Sequence, residues 1–304
     1  MLIEAISTRT KVPVASLRKI AASASRRYFE FTIQKRDGTE RLIAHPSRPL
    51  KALQRWIARN VVGLAPVHPA ATAYAKGSKI SRNAELHAAT KFTTRLDFRE
   101  FFPSFDSVSV GEFFRKISAD NSLNFSDDDI NFATKIVCRS GRLAIGAPSS
   151  PKITNAMMFE FDTLVAGEAA NLNAVYTRYA DDIFLSGFDF LIVRQLEEKI
   201  RKIVDDQKAP KLVLKEEKTL HLSRAQHRSV TGLVITPDGA VSIGRARKRE
   251  IKTLVHLGLH DKLKAGDRAR LAGLIAFVSD VEPLFLIALS RKFSVDVRQW
   301  AKSL

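Results

Sequence analysis

Among 304 residues there is one cysteine, Cys138. A single thiol can close no intramolecular disulfide and build no thiolate zinc cluster, so Cys138 reads as a small buried apolar residue. Long apolar runs are lacking too. Met1 to Val14 holds no signal-like apolar core, and the most apolar late stretch, Leu271 to Leu289, is interrupted by Asp280, Glu282 and Pro283. This predicts a cytoplasmic protein with no membrane partner. No internal repeat or low-complexity tract is present, so the chain reads as one continuous unit. Acidic residues are in deficit: 32 Asp plus Glu stand against 49 Lys plus Arg, a formal net charge of +17. A surplus of that size draws polyphosphate by counterion release, which makes nucleic acid the default partner, with an anionic membrane or a ribosomal role as weaker alternatives. What is present is a globular composition, 45% hydrophobic and 27% charged, which disorder does not explain. The length allows one large domain or two to three packed subdomains.

Local patterns divide the chain further. Thr10 to Tyr28 has helical spacing, and Phe29, Phe31 and Ile33 then alternate as a strand. Asp37-Gly38 is a hairpin turn signal with Arg41 to Ala44 returning, and Leu50, Leu53, Trp56, Ile57 and Val61 mark an amphipathic helix ending at Gly63. Phe92 to Phe98 reads as a strand. Ser126 followed by Asp127, Asp128 and Asp129 predicts a capped helix start with solvated acids, and Ser149 or Ser150 would cap a helix beginning at Pro151. Val175 to Tyr179 and Ile183 to Ser186 predict a hairpin with Ala180-Asp181-Asp182 at its tip. A helix through Leu191, Leu196, Ile200 and Ile203 follows, then a strand from Ser229 to Ile235 closed by Pro237-Asp238-Gly239, and from Arg245 a basic helical end.

Adjacent acids at a hairpin tip repel one another unless a cation compensates them. Asp97 ends an earlier strand that shows no other reason to hold a carboxylate. If the two strands are neighbours, Asp97, Asp181 and Asp182 converge, and hard oxygen donors select Mg²⁺ over zinc. Two such ions serve a nucleotidyl transfer, one activating a hydroxyl and one neutralising the departing pyrophosphate.

Tyr179-Ala180-Asp181-Asp182 resembles the catalytic box of reverse transcriptases, and Leu96-Asp97-Phe98-Arg99-Glu100-Phe101-Phe102-Pro103 resembles the family's first acidic motif. Gly146-Ala147-Pro148-Ser149-Ser150-Pro151, with Asn155 following, is similar to the substrate-groove motif between them. The finer resemblance is to bacterial retron reverse transcriptases, whose Asn-Ala-x-x-His matches Asn83-Ala84-Glu85-Leu86-His87 and whose Val-Thr-Gly matches Val230-Thr231-Gly232. The similar segments run from about residue 10 to about residue 293.

This resemblance implies an α+β right-hand polymerase: fingers in residues 1–95, a palm with an antiparallel sheet and helices in 96–243, and a basic helical thumb in 244–304. It implies Asp97, Asp181 and Asp182 as catalytic metal ligands with Phe98 beside them, and two Mg²⁺ ions, replaceable by Mn²⁺. Lys35, Arg41, Phe98, Phe102 and Gly146 would contact the incoming dNTP, with Phe102 beneath its sugar, Phe101 turned to the core, and Gly146 letting substrate approach the backbone. Ile145 stands where relatives commonly carry glutamine, which removes any carried-over side-chain contact there. Lys218 would protonate the leaving pyrophosphate, or else bind phosphate or sit solvated. Asn83, His87, Val230, Thr231 and Gly232 would contact RNA; taken alone, His87 reads as a satisfied structural histidine and Val230-Thr231-Gly232 as a strand whose glycine allows close backbone approach. The implied activity is RNA-directed DNA synthesis on a cognate structured noncoding RNA, giving single-stranded DNA joined to RNA, with a separate effector protein in antiphage defence. The alternatives are a group II intron, diversity-generating or abortive-infection reverse transcriptase, or a catalytically silent RNA-binding protein of the same fold.

Overall fold

The computed structural model describes residues 1–34, 38–74, 77–226 and 228–303. The chain opens with helices α1 (Leu2–Thr10) and α2 (Val14–Ala22), then the antiparallel strands β1 (Tyr28–Gln34) and β2 (Glu40–Pro46) and helix α3 (Arg48–Asn60). The helix predicted from Thr10 to Tyr28 is therefore corrected. Helicity begins at Leu2 and breaks at Lys11, whose φ is 56°, with Pro13 capping the second segment. Lys35 and Asp37 lie outside the described residues.

Helix α4 (Ile80–Ala88) leads into β3 (Phe92–Asp97), followed by helices α5 (Ser107–Asp120) and α6 (Asp127–Val137), the short strands β4 (Cys138–Arg139) and β5 (Arg142–Leu143), and helices α7 (Ser150–Met157) and α8 (Phe159–Asn171). Ser126 caps α6 through a reciprocal box with Asp129. Asp129 is not solvated as predicted: it is buried and also accepts from the Ile3 N–H at 3.0 Å, tying α1 to α6. Neither Ser149 nor Ser150 forms a side-chain cap on α7. Hairpin β6 (Val175–Tyr179) and β7 (Asp182–Gly187) continues into α9 (Phe190–Asp206) and β8 (Leu220–Ser223), and these strands form one antiparallel sheet in the order β6-β7-β3-β8. Residues of β6, β7 and β3 are mostly buried on both faces, while the edge strand β8 is not, which is why β3 and β7 read as poor alternators.

Ser229 to Ile235 is two strands rather than one, β9 (Arg228–Val230) and β10 (Leu233–Ile235), turning at Thr231 (φ 49°) and Gly232 (φ 78°). No atom crowds Gly232, so its glycine serves the turn and not a close approach. β11 (Val241–Ser242) pairs with β10, and helices α10 (Arg245–Leu259), α11 (Ala265–Val281), α12 (Pro283–Phe293) and α13 (Val297–Trp300) complete the described chain. The interior has one large cluster spanning α1 to α3, the central sheet and α5 to α9, and a second uniting α4, β9, β10 and the C-terminal helices.

Candidate active site

The pairing of β3 with β7 sets Asp97 directly opposite Asp182, and the pairing of β6 with β7 sets Tyr179 opposite Asp182, so Ala180 and Asp181 form the tip. Ala180 takes φ 58°, a left-handed conformation costly for alanine. The surroundings hold it there. The Phe98 N–H donates to the Asp181 carbonyl at 3.1 Å and the Lys215 N–H to the Asp97 carbonyl at 2.8 Å, fixing both acidic positions by main-chain bonds. Beneath the tip, fully buried Arg178 makes two bonds to Asp162, at 2.8 and 2.6 Å, and a third, at 3.1 Å, to the Ala180 carbonyl. Tyr176 donates to the same Asp162 at 2.6 Å, and Asn155 accepts from Arg178 while donating to the Ala73 carbonyl. Burial alone would lower the Arg178 pKa, but the bond and charge of Asp162 raise it, so the guanidinium stays charged.

Asp97 and Asp181 open onto a cavity of about 590 Å³ lined also by Arg41, Tyr74, Phe98, Phe102, Ile145, Lys215 and Lys218. Burial pushes the Asp181 carboxyl above the usual carboxylate range and the Asp97 charge adds to this, while its own backbone N–H, Arg41 and Lys218 oppose it. Asp182 is pushed up to about 6, mainly by burial, with Arg95 opposing and Asp181 and Asp97 adding. Half-buried carboxylates that resist ionising together are what a divalent cation would relieve, and their oxygens suit a hard ion. Asp182 is the most restrained of the three acids. Arg95 holds Asp182 Oδ1 through two bonds, at 3.0 and 2.7 Å, and among the described residues no three Asp, Glu, His or Cys side chains stand together as a metal site. Asp97 and Asp181 are thus the pair that fits an ion, with Lys218 Nζ 3.3 Å from Asp97 Oδ2.

Phe98 is buried and stacks on Phe101, with ring centroids 5.6 Å apart, so only its main chain can reach the cavity. Phe101 is buried, as predicted, and Phe102 is half-buried at the cavity wall. Gly146 differs from its predicted role. At φ 107°, a Cβ there would stand 2.6 Å from the Ala44 carbonyl, so the close approach that demands glycine is to β2, which the Ala44 N–H to Ile145 carbonyl bond (2.8 Å) also anchors. Tyr74, at φ 60° and half-exposed over the cavity, was missed, as were Arg95, Asp162 and Arg178; none sits in a periodic pattern that marks it.

The direct RNA contacts predicted for Asn83, His87 and Val230 are corrected, because all three side chains are fully buried. Thr231 and Gly232, at the turn, remain accessible, and Thr231 Oγ1 donates to the Ile80 carbonyl. His87 bridges Thr177 Oγ1 (2.8 Å) on β6 and Ser186 Oγ (2.6 Å) on β7, so α4 braces the β6–β7 hairpin. Burial, reinforced by the Arg228 charge, pulls the His87 pKa down to about 3, and the ring is neutral. The unfolded chain's histidine protonates near 6.5 and the folded one does not, so this group's stability contribution is full above about 6.5 and is lost as pH falls toward 3. Urea unfolding from pH 7 to pH 4 is expected to show a loss approaching ~1.4 kcal/mol per pH unit from this group, absent in His87→Gln. An equal acid slope in the variant would refute the assignment.

Residues 33–254 match the family model described as reverse transcriptase (RNA-dependent DNA polymerase). The chain is 32% identical over 279 residues to the Retron Ec86 reverse transcriptase of Escherichia coli, an alignment covering 91% of this chain and 83% of the relative. It is 33% identical over 291 residues to the Retron Ec73 reverse transcriptase of Escherichia coli, covering 90% and 89%. Among solved structures, apo telomerase from Candida tropicalis superposes with a TM-score of 0.53 at 11% identity, over 90% of this chain and 58% of that one, a likeness of fold alone. A family match over most of the sequence, relatives of this identity along nearly their whole length, and an α+β polymerase fold with paired acids on its central sheet together establish that the chain belongs to the retron reverse transcriptases, RNA-directed DNA polymerases of a family that uses divalent metal ions.

Proposed function

We propose that the chain copies a cognate structured noncoding RNA into single-stranded DNA joined to RNA by a 2′–5′ branch, with dNTPs and two Mg²⁺ ions (Mn²⁺ as substitute), and acts with a separate effector protein in antiphage defence. The observation that carries the catalytic part is the cavity in which Asp97 and Asp181 face Arg41, Lys215 and Lys218. Paired carboxylates beside converging cations suit a polyphosphate that arrives with its counterions. The ions, when bound, supply activation of the attacking hydroxyl and charge neutralisation at the leaving pyrophosphate.

The side chains do the rest. Asp97 and Asp181 hold the ions with the Phe98 main chain beside them; Arg95 fixes Asp182 so that the tip keeps its shape. Arg41 and Lys215 bind phosphate oxygens, and Lys218 delivers a proton to the departing one. Lys35 would share the phosphate contact from outside the described residues. Residues 1–95 serve as fingers, 96–243 as palm and 244–304 as thumb, and the accessible Thr231-Gly232 turn touches RNA while Asn83, His87 and Val230 support it from within.

Phe102 closes the pocket under the sugar. A ring there leaves no room or hydrogen-bond partner for a 2′-hydroxyl. Phe102→Val is expected to raise rGTP use relative to dGTP by at least about tenfold, the effect of ~1.4 kcal/mol, whereas Phe101→Val lowers stability without relaxing selectivity. Single-nucleotide kinetics decide this; unchanged selectivity in a folded, active Phe102→Val protein would move the gate elsewhere. The overall reading is tested by purifying the protein from its host and extracting bound nucleic acid. RNA-linked DNA, trimmed by RNase and released by debranching enzyme, is expected, and recovery of RNA with no attached DNA would overturn it.

A further inference from the structure

A second large cavity, of about 780 Å³, lies among helices and shares no described lining residue with the catalytic cavity. Its volume is that of a binding site and not of a packing void. Helix α5 explains its apolar wall. Val110, Phe114 and Ile117 turn into the core, and the neighbouring face of the helix carries Ser109, Phe113, Lys116 and Asp120. Phe113 is therefore half-buried, left between the core and the cavity. Met157 and Phe159, at the junction of α7 and α8, complete the apolar lining with Leu64 and Pro210.

The apolar surface continues past the mouth, where Val108 is 72% exposed and Leu64 47%. The rim is acidic. Among the described lining residues Glu112, Asp120 and Glu160 stand against one cation, Lys116, which lies 3.8 Å from Asp120 and 4.0 Å from Glu160. Arg115, beside the rim, is shared between Glu112 at 2.7 Å and Asp127 at 3.1 Å. Four carboxylates thus meet two cations, on a chain whose formal net charge is +17. All six side chains are more than half exposed, so the pairs are weak and the local field stays negative.

An acidic rim repels phosphate, which turns away nucleic acid and anionic bilayers alike, and an apolar floor calls for apolar side chains. A small apolar molecule would cover the floor and leave Val108 and Leu64 in water. What suits both parts is an amphipathic helix laid along the groove, with apolar anchors at helical spacing and Lys or Arg beside them. We infer that the groove between α5 and the α7–α8 junction docks a basic amphipathic helix of a partner protein. This stands independently of the template-copying reading above.

The test is fluorescence anisotropy with an amphipathic peptide of about 18 residues, leucine on one face and lysine on the other, beside the same peptide with glutamate for lysine. The rest of a +17 chain repels the lysine peptide, so tight binding marks a local acidic site. The wild-type protein is expected to bind the lysine form at least about tenfold more tightly than the glutamate form. Glu112→Gln with Asp120→Asn and Glu160→Gln should remove that preference. Leu64→Ser with Val108→Ser should weaken the lysine peptide by about tenfold and leave its salt dependence in place. Every substituted side chain is exposed, so both variants should melt as the wild type does. Equal affinity for the two peptides, or wild-type affinity in both variants, would overturn the site. Lost RNA affinity in Leu64→Ser with Val108→Ser would overturn it in favour of nucleic acid, and a concentration-dependent dimer abolished by that variant would do so in favour of a second copy of the chain.

Discussion

Asp181→Asn is expected to slow DNA synthesis by roughly a thousandfold or more, the rate equivalent of about 4 kcal/mol of lost charge stabilisation, while RNA affinity stays within about twofold. The asymmetry follows from place. Asp181 is one half-buried carboxylate in the cavity, whereas RNA affinity is expected to come from the basic surface of a chain whose formal net charge is +17. The variant has a second signature. Burial disfavours the ionised Asp181, and Asp97 adds to the strain, so a neutral amide of the same shape is expected to raise the melting temperature of the metal-free protein and to shrink the rise that Mg²⁺ produces. Primer extension, filter binding and thermal melts with and without Mg²⁺ on one preparation give all three readings. Near-normal extension by Asp181→Asn would remove this residue from the chemistry.

The largest stability effect should come from a residue that touches no substrate. Asp162→Ala leaves Arg178 buried without its carboxylate and removes the acceptor of the Tyr176 hydroxyl, so unfolding free energy is expected to fall by about 3–5 kcal/mol. Because Arg178 also holds the Ala180 carbonyl, synthesis should fall more than the folded fraction does. Removing both charges, as Asp162→Leu with Arg178→Met, should recover most of the stability, since the cost lies in the abandoned charge. Urea titrations of the single and double variants check this, and a loss below about 1 kcal/mol for Asp162→Ala would show that water reaches Arg178.

What the sequence made legible is what is local. The β6–β7 hairpin announces itself by two short strands around an acidic pair, and β3 by a run ending in Asp97, so the strands and the acids they carry were legible, whereas the pairing of β3 with β7 joins segments about ninety residues apart and stood only as a condition. Phe101 is buried and Phe102 half-buried at the cavity wall, as the motif suggested, although their rings meet edge to face at 5.6 Å. The network under the tip was not legible: Asp162 comes from α8, Arg178 from β6 and Asn155 from α7, and no periodicity links residues that meet only after the chain has folded. Arg95 looked like an ordinary strand residue, yet its bonds to Asp182 decide which carboxylates are free. Asn83 and His87 carried a family signature, but a signature does not say whether a side chain faces solvent; His87 is enclosed by partners on β6 and β7, about ninety residues further along.

The left-handed Ala180 at the hairpin tip bears on how often this enzyme must repeat its own assembly. A polymerase meets a new nucleotide at every step, and a carboxylate on a loose loop would lose its conformational freedom anew each time. Here the turn is closed by the Arg178 bond to Ala180 and the Phe98 bond to Asp181 before any ligand arrives. The entropy of ordering the tip is therefore lost once, when the chain folds, and each addition begins from a turn already closed.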